Sequence, residues 1–133
     1  MPQPGYDARA GTPSPGIRAR SPRARILVID YLAGMSPNSL CGAANFMTDP
    51  DLGWIGEKLI ELNDMVRRAA AAGGVEFVDT YSSSVGHDVC QAPGVRWVEG
   101  TSPFAPQGVA IPFHPNQFGA DHQALVVKQA LGI

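Results

Sequence analysis

The sequence Arg25-Ile26-Leu27-Val28-Ile29-Asp30-Tyr31 contains the clearest strand signal in the chain. Its consecutive large or branched apolar residues are typical of a strand buried on both faces, as in a parallel sheet covered by helices. Asp49-Pro50-Asp51 predicts the start of a long amphipathic helix, with Asp49 as the N-cap, and Gly73-Gly74 predicts its end. Val75–Asp79 predicts a second, short strand. A strand, a helix and a strand in this order indicate a parallel, right-handed crossover and an α/β fold.

The composition limits the chain to one domain and excludes several classes of protein. A length of 133 residues with 44% hydrophobic residues supports one core, while 15 glycines and 12 prolines predict many loops. The net charge of −2 argues against nucleic-acid binding. The sequence contains no run of about 18 apolar residues, so no membrane span is predicted. Residues 1–24 contain no apolar stretch of the signal-peptide type, so no export signal is expected within them.

The first residues differ in composition from the rest. Residues 1–22 are rich in proline and arginine, and prolines interrupt every candidate helix there. We therefore expect a disordered basic lead-in over residues 1–22, acting as a solvated tail or a linker, and a folded portion over residues 23–133.

The two cysteines, Cys41 and Cys90, are far apart in sequence and belong to no CxxC motif. If they pair, they close a loop worth about 4 kcal/mol in the chain-entropy model and indicate an oxidising compartment. The alternative is a pair of buried free thiols. The residues alone leave both interpretations open.

The most distinctive stretch for function is Ile111-Pro112-Phe113-His114-Pro115-Asn116-Gln117-Phe118-Gly119. Its two prolines stiffen the connection, and the residue before a proline is expected to be extended. His114 is then placed to project into a cleft as a general acid or base, and Asn116 to cap a final helix from about Pro115 to Leu131. For an isolated His-Pro-Asn, a surface histidine on a turn is the commoner interpretation.

Three other groups of residues are candidates for chemistry. In Gly86-His87-Asp88 we expect Asp88 to accept backbone N–H groups near Cys90. His87, Asp88 and Asn116 are the candidates to line the cleft. A metal site formed by His87, Asp88, His114 and His122 has no HxH or HExxH spacing to support it, and His122 fits better as a surface or packed histidine on a helix. Ser82–Ser84 are expected to be loop residues, since no Gly-x-Ser-x-Gly or Gly-Asp-Ser motif surrounds them.

Taken in order, these pieces resemble the C-terminal half of the GDSL, or SGNH, esterase and lipase family, in particular its secreted actinobacterial branch. The similarity covers roughly residues 17 to 131 and is carried by Ile17–Pro22, the strand to Tyr31, the Cys41 loop, Leu62-Asn63, Val75–Asp79, Gly86–Cys90, Trp97-Val98, His114-Pro115-Asn116 and Gly119.

The resemblance implies a flavodoxin-like three-layer α/β/α fold with parallel strands. It implies hydrolysis of small esters or lipids by a serine and a histidine, with no metal and no organic cofactor. His114 matches the catalytic histidine of the family, Cys41 and Cys90 match one of its disulfides, and the expected location is extracellular.

The chain also departs from the family pattern. The Gly-Asp-Ser block that carries the nucleophile is absent, as are the segments that supply the oxyanion donors. Ile111 stands where many members have an aspartate three residues before the histidine. Some members of this branch use a backbone carbonyl instead, so the resemblance implies the carbonyl of Ile111 as the orienting group. We therefore expect a truncated, C-terminal portion of an ester hydrolase that is inactive alone. The alternative is a non-catalytic interaction module that associates through an exposed sheet edge, with itself or with a complementing N-terminal fragment.

Overall fold

A computed structural model describes residues 13–101, 104–105, 108–109 and 111–133. The elements in chain order are α1 (Pro13–Arg20), β1 (Leu27–Ile29), α2 (Asp49–Ala72), β2 (Glu76–Val78), β3 (Phe104–Ala105), β4 (Gly108–Val109) and α3 (Gln117–Leu131), with short 3₁₀ helices at Ala43–Asn45 and Ser82–Ser84.

The strand–helix–strand prediction is confirmed. β1 and β2 pair in parallel, with Val28 opposite Phe77, and α2 connects them. The strands are shorter than the apolar runs that predicted them. The expectation that β1 is buried on both faces is wrong, because Ile29 is 41% exposed. The Ile29 side chain lines an open cavity beside α3, which leaves it partly uncovered. Among the described residues only β2 pairs with β1, so one edge of β1 has no neighbouring strand.

The long helix α2 begins one residue earlier than predicted, at Asp49 instead of Pro50. Its N-cap is Thr48, whose hydroxyl accepts the N–H of Asp51 at 3.2 Å. Asp49 is the first helical residue, and its carboxylate accepts the N–H of Gly42 at 2.8 Å. The carboxylate therefore ties the preceding loop to the helix start instead of capping the helix.

The expected disorder of residues 1–22 is wrong for Pro13–Arg20, which form α1; residues 1–12 lie outside the described part of the chain. Prolines are tolerated in the first turn of a helix, where backbone N–H groups have no partner within the helix. The guanidinium of Arg18 donates to the carbonyl of Gly74 at 2.6 Å, which ties α1 to the turn before β2.

The core is formed by residues of α2 and of the loops that follow β1 and β2. Leu32, Leu52, Val89 and Val98 form its buried centre. Cys41 and Cys90 pack against this centre and form a disulfide, with their Cα atoms 5.4 Å apart. The disulfide implied by the family resemblance is therefore confirmed.

Asp30, at the carboxyl end of β1, joins the two strands at this end of the sheet. It is 5% exposed, and its Oδ1 accepts the Thr80 N–H at 2.6 Å, the Thr80 hydroxyl at 2.8 Å and the Tyr81 N–H at 3.2 Å. Burial raises the pKa of Asp30 above its usual 3.8, although the hydrogen bonds from Thr80 and Tyr81 lower it. The protonated form is thus favoured by folding.

This raised pKa predicts a pH dependence of stability. As the pH rises above 3.8 and through the folded pKa of Asp30, the folded chain retains a proton that the unfolded chain has lost, so the free energy of unfolding falls. Asp30→Asn is expected to remove this component because an amide does not titrate, while its oxygen still accepts the same hydrogen bonds. Urea unfolding of both proteins at a series of pH values measures the effect, and parallel curves would contradict it.

None of the helices in the described residues is long and apolar enough to cross a membrane.

Candidate functional site

His114 lies exposed on the bend between Pro112 and Pro115. Its Nδ1 is 2.9 Å from the carbonyl oxygen of Pro112. Since a carbonyl oxygen only accepts, this contact places the proton on Nδ1 and leaves Nε2 as the nitrogen that exchanges a proton. The ring is therefore fixed in one tautomer at the protein surface.

The carbonyl that meets the imidazole belongs to Pro112, so the prediction for Ile111 is wrong. The Ile111 carbonyl instead accepts the backbone N–H of His114 at 3.1 Å, closing a tight turn. The Ile111 carbonyl oxygen is therefore hydrogen-bonded within the main chain, and the carbonyl of Pro112 lies beside the ring instead.

Phe113 has a left-handed backbone, with φ at 58°. For a bulky residue this conformation costs on the order of 1–3 kcal/mol, and such outliers cluster at functional sites. Two contacts hold Phe113 in place: its N–H donates to the carbonyl of Glu99 at 2.8 Å, and its side chain packs against the core. His114 therefore follows a strained residue that is fixed on both its backbone and its side chain.

A buried ionic network supports this turn from below. Glu99 is completely buried, and its Oε2 lies 2.6 Å from both Nε and Nη2 of Arg96. Its Oε1 accepts from Nδ2 of Asn116 at 2.9 Å. The backbone N–H of Glu99 donates to the carbonyl of His114 at 3.1 Å. The backbone of Glu99 is thus hydrogen-bonded to both Phe113 and His114, next to the imidazole.

Sequence reasoning missed this network. The available signal was a charged pair three residues apart, Arg96 and Glu99, which flank the apolar Trp97-Val98. A charge in such a segment is usually solvated, and its complete burial depends on Asn116, which is distant in sequence.

Asn116 caps α3 as predicted, since its Oδ1 accepts the N–H of Gly119 at 3.2 Å. The expectation that it lines a cleft is wrong. Its side chain is 4% exposed, and its amide nitrogen donates to Glu99 and to the carbonyl of Arg96. Asn116 therefore positions the turn that follows His114.

In Gly86-His87-Asp88 the loop-holding role of Asp88 is confirmed. Asp88 is buried, and its Oδ1 accepts the N–H of Cys90 at 2.9 Å. His87 is half-buried, with Nδ1 2.6 Å from the carbonyl of Val95. Its ring stacks on Trp97 at a centroid distance of 3.7 Å. Both side chains are thus occupied in holding the loop.

His122 on α3 approaches the same aromatic group from a different element. Its ring centroid is 4.4 Å from that of Trp97, and its Nε2 is 2.8 Å from Oγ of Ser83. Burial, and to a lesser extent the nearby His87, lower the pKa of His122. The prediction of a packed histidine is confirmed, but the contact with Ser83 was not expected.

The described residues also form a cavity of about 450 Å³ between the end of β1 and α3. It is lined by Ile29, Asp30, Tyr31, Gln123, Ala124 and Val127. His87, Asp88, His114 and Asn116 are not among its lining residues, so the structure does not bring the predicted site residues together around it. Within the described ranges, no group of three or more His, Cys, Asp or Glu side chains is arranged to hold a metal ion.

Comparison with known proteins relates this architecture to lipases. The chain is 34% identical over 120 residues to Lipase 2 of Streptomyces coelicolor, an alignment covering 89% of this chain and 40% of that protein. Its structure resembles that of phospholipase A1 from Streptomyces albidoflavus NA297, with a TM-score of 0.77 and 23% sequence identity. That match covers 95% of this chain and 51% of the phospholipase, and it confirms the predicted α/β fold.

The chain spans less than two thirds of the length of these relatives. The model of the GDSL-like Lipase/Acylhydrolase family matches residues 16–122, which include the C-terminal part of α1, both parallel strands and His114. The chain therefore belongs to the GDSL-like lipase/acylhydrolase family.

Proposed function

We propose that this chain is the C-terminal portion of a carboxylic-ester hydrolase in which His114 is the general acid and base. The observation that carries the proposal is the exposed imidazole of His114 with its Nδ1 held by the carbonyl of Pro112. The family membership supplies the reaction class, and the names of the two relatives, a lipase and a phospholipase, support a lipid or another small ester as substrate.

The geometry suits the transfer of a proton in both directions. In serine hydrolases, one imidazole nitrogen takes the proton of the nucleophilic hydroxyl and returns it to the leaving alcohol, while the other is held by an acceptor. Here the carbonyl of Pro112 supplies the acceptor, which fixes the tautomer of His114. The protein groups perform this chemistry without a metal or organic cofactor.

The hydroxyl that His114 serves is proposed to come from a Gly-Asp-Ser segment outside these 133 residues. The described residues place no serine hydroxyl in hydrogen-bond contact with His114. We therefore expect that steady-state hydrolysis of p-nitrophenyl butyrate by the purified chain stays at the background rate, and that His114→Ala leaves it unchanged.

Pro112→Ala is not a suitable control for this assay because it alters the turn, so His122→Ala serves as the matched histidine variant. Turnover well above background that disappears in His114→Ala, but persists in His122→Ala, would contradict the proposal. It would show that the chain carries a nucleophile of its own for His114.

The second candidate function is association through the uncovered edge of β1. Ile29 and Tyr31 are 41% and 58% exposed there, beside the cavity under α3. The Asn63 side chain bonds both backbone groups of Tyr31, so the open part of the edge ends at Ile29. A strand edge with apolar side chains and no neighbouring strand is a template for a further strand. Since the matched relatives are longer, we propose that the occupant is a strand from an N-terminal fragment, or the same edge of a second copy when that fragment is absent.

Sedimentation velocity over a concentration series tests this association. The purified chain is expected to dimerise, and Ile29→Lys is expected to shift it towards monomer because a charge on an edge strand opposes strand pairing. Tyr31→Phe, which keeps the aromatic surface, serves as the control. A wild-type chain that remains monomeric at every concentration would contradict the proposal.

We also propose an extracellular location. The disulfide Cys41–Cys90 is typical of proteins from oxidising compartments, and both relatives come from Streptomyces.

A further inference from the structure

Three consecutive serines differ in what their hydroxyls contact. Ser82 is exposed and donates to the carboxylate of Asp79 at 2.6 Å. Ser84 is buried. Ser83 is exposed, and its Oγ lies 2.8 Å from Nε2 of His122. Ser83 thus combines access to solvent with a direct hydrogen bond to an imidazole, which is the arrangement that activates a serine nucleophile.

The ring of His122 is held in place by an aromatic stack. Trp97 packs against it at a centroid distance of 4.4 Å, and His87 stacks on Trp97 at a centroid distance of 3.7 Å. His87 is itself fixed by its contact with the carbonyl of Val95 at 2.6 Å. This packing restricts the orientation of His122, which in a catalytic triad is the task of a carboxylate.

The protonation state of His122 is also suitable. Burial lowers its pKa below the usual value of 6.5, and the neighbouring His87 lowers it further. The lowered pKa favours the neutral ring, in which Nε2 accepts the hydroxyl proton of Ser83 when the ring proton lies on Nδ1. A neutral imidazole within hydrogen-bond reach of a hydroxyl meets the geometric requirement for general base catalysis.

We propose that Ser83 and His122 form a second serine–histidine pair, separate from His114, that takes an acyl group from activated aryl esters. Oγ of Ser83 attacks the ester carbonyl carbon while its proton passes to Nε2 of His122. The bond between the carbonyl carbon and the aryl oxygen then breaks, and the aryl oxide leaves with the proton from His122. The products are an acyl-serine and a phenol.

The restriction to activated esters follows from the surroundings of the pair. In the described part of the chain no carboxylate hydrogen-bonds to His122, so the imidazolium lacks the support that a triad provides. An aryl oxide is a good leaving group and needs the least assistance. We therefore expect one acyl group to accumulate on Ser83, with little steady-state turnover.

Mass spectrometry after incubation of the intact chain with p-nitrophenyl acetate tests the proposal. The tryptic peptide 69–96 contains Ser82–Ser84 and no lysine, which removes the usual competing amines. We expect one acetyl group on Ser83 in this peptide, located by fragmentation. The initial rate of its formation is expected to fall at least about 100-fold in His122→Gln, which can still hydrogen-bond to Ser83 but is not a base.

Ser82→Ala is the matched control and is expected to label like the wild type, whereas Ser83→Ala is expected to lose the label. A wild-type chain with Ser83 unlabelled, or an unchanged labelling rate in a folded His122→Gln, would overturn the proposal. Should His122→Gln fail to fold, the position of the label in the wild type and in Ser82→Ala still decides. His114→Ala is expected to leave the labelling unchanged, so this result and the test of the proposed function are independent.

Discussion

Glu99→Ala is expected to lower the free energy of unfolding by about 3 to 5 kcal/mol, which is the typical cost of removing one partner from a buried ion pair. The variant leaves the guanidinium of Arg96, whose side chain is 16% exposed, without the carboxylate that it contacts twice. It also removes the acceptor of the Asn116 amide. For a domain stabilised by about 5–15 kcal/mol, this is a large part of the total.

The loss has a structural consequence at the candidate site. The backbone of Glu99 bonds to Phe113 and His114, so loosening this segment is expected to release the left-handed conformation of Phe113. Chemical denaturation measures the stability, and the NMR signals of the His114 imidazole report the local change.

Glu61→Ala is the matched control, since Glu61 pairs with Lys58 on an exposed face of α2. Exposed pairs contribute little, so Glu61→Ala is expected to unfold nearly like the wild type. Equal unfolding curves for Glu99→Ala and Glu61→Ala would show that the buried network does not hold this region together.

Removing the disulfide by Cys41→Ser combined with Cys90→Ser is expected to cost about 4 kcal/mol, from the loss of a closed loop in the unfolded chain. The two cysteines are 49 residues apart and lie against the core, so the bond joins the loop after β1 to the loop after β2. Chemical denaturation of the wild type and the double variant measures the difference.

The chain contains only two cysteines, which provides an internal check. Wild type unfolded in the presence of a reducing agent is expected to match the double variant, while the reducing agent is expected to leave the double variant unchanged. A double variant as stable as the oxidised wild type would contradict the stabilising role of the disulfide.

The elements that sequence predicted are those governed by local chemistry. The apolar run around Val28, the proline at the start of α2 and the amide cap of Asn116 each act within a few residues. The disulfide required more, because the spacing of Cys41 and Cys90 alone left free thiols as an alternative, and only the family resemblance favoured the bond.

The parts that sequence did not predict depend on contacts between distant segments. Ser83 and His122 meet because α3 packs beside the 3₁₀ helix at Ser82–Ser84, and no local pattern encodes that packing. The choice of the Pro112 carbonyl over that of Ile111 depends on how one tight turn closes. The burial of Glu99 is likewise invisible until its partners are in place.

We propose that His114 serves a hydroxyl supplied from outside these 133 residues. The most direct measurement is the rate of p-nitrophenyl butyrate hydrolysis after the chain is mixed with a polypeptide that carries the Gly-Asp-Ser block of this family. We predict steady-state turnover in the mixture that falls at least about 100-fold with His114→Ala and is unchanged by Ser83→Ala. Turnover in the mixture that is as fast with His114→Ala as with the wild-type chain would show that His114 is not the base for this hydroxyl.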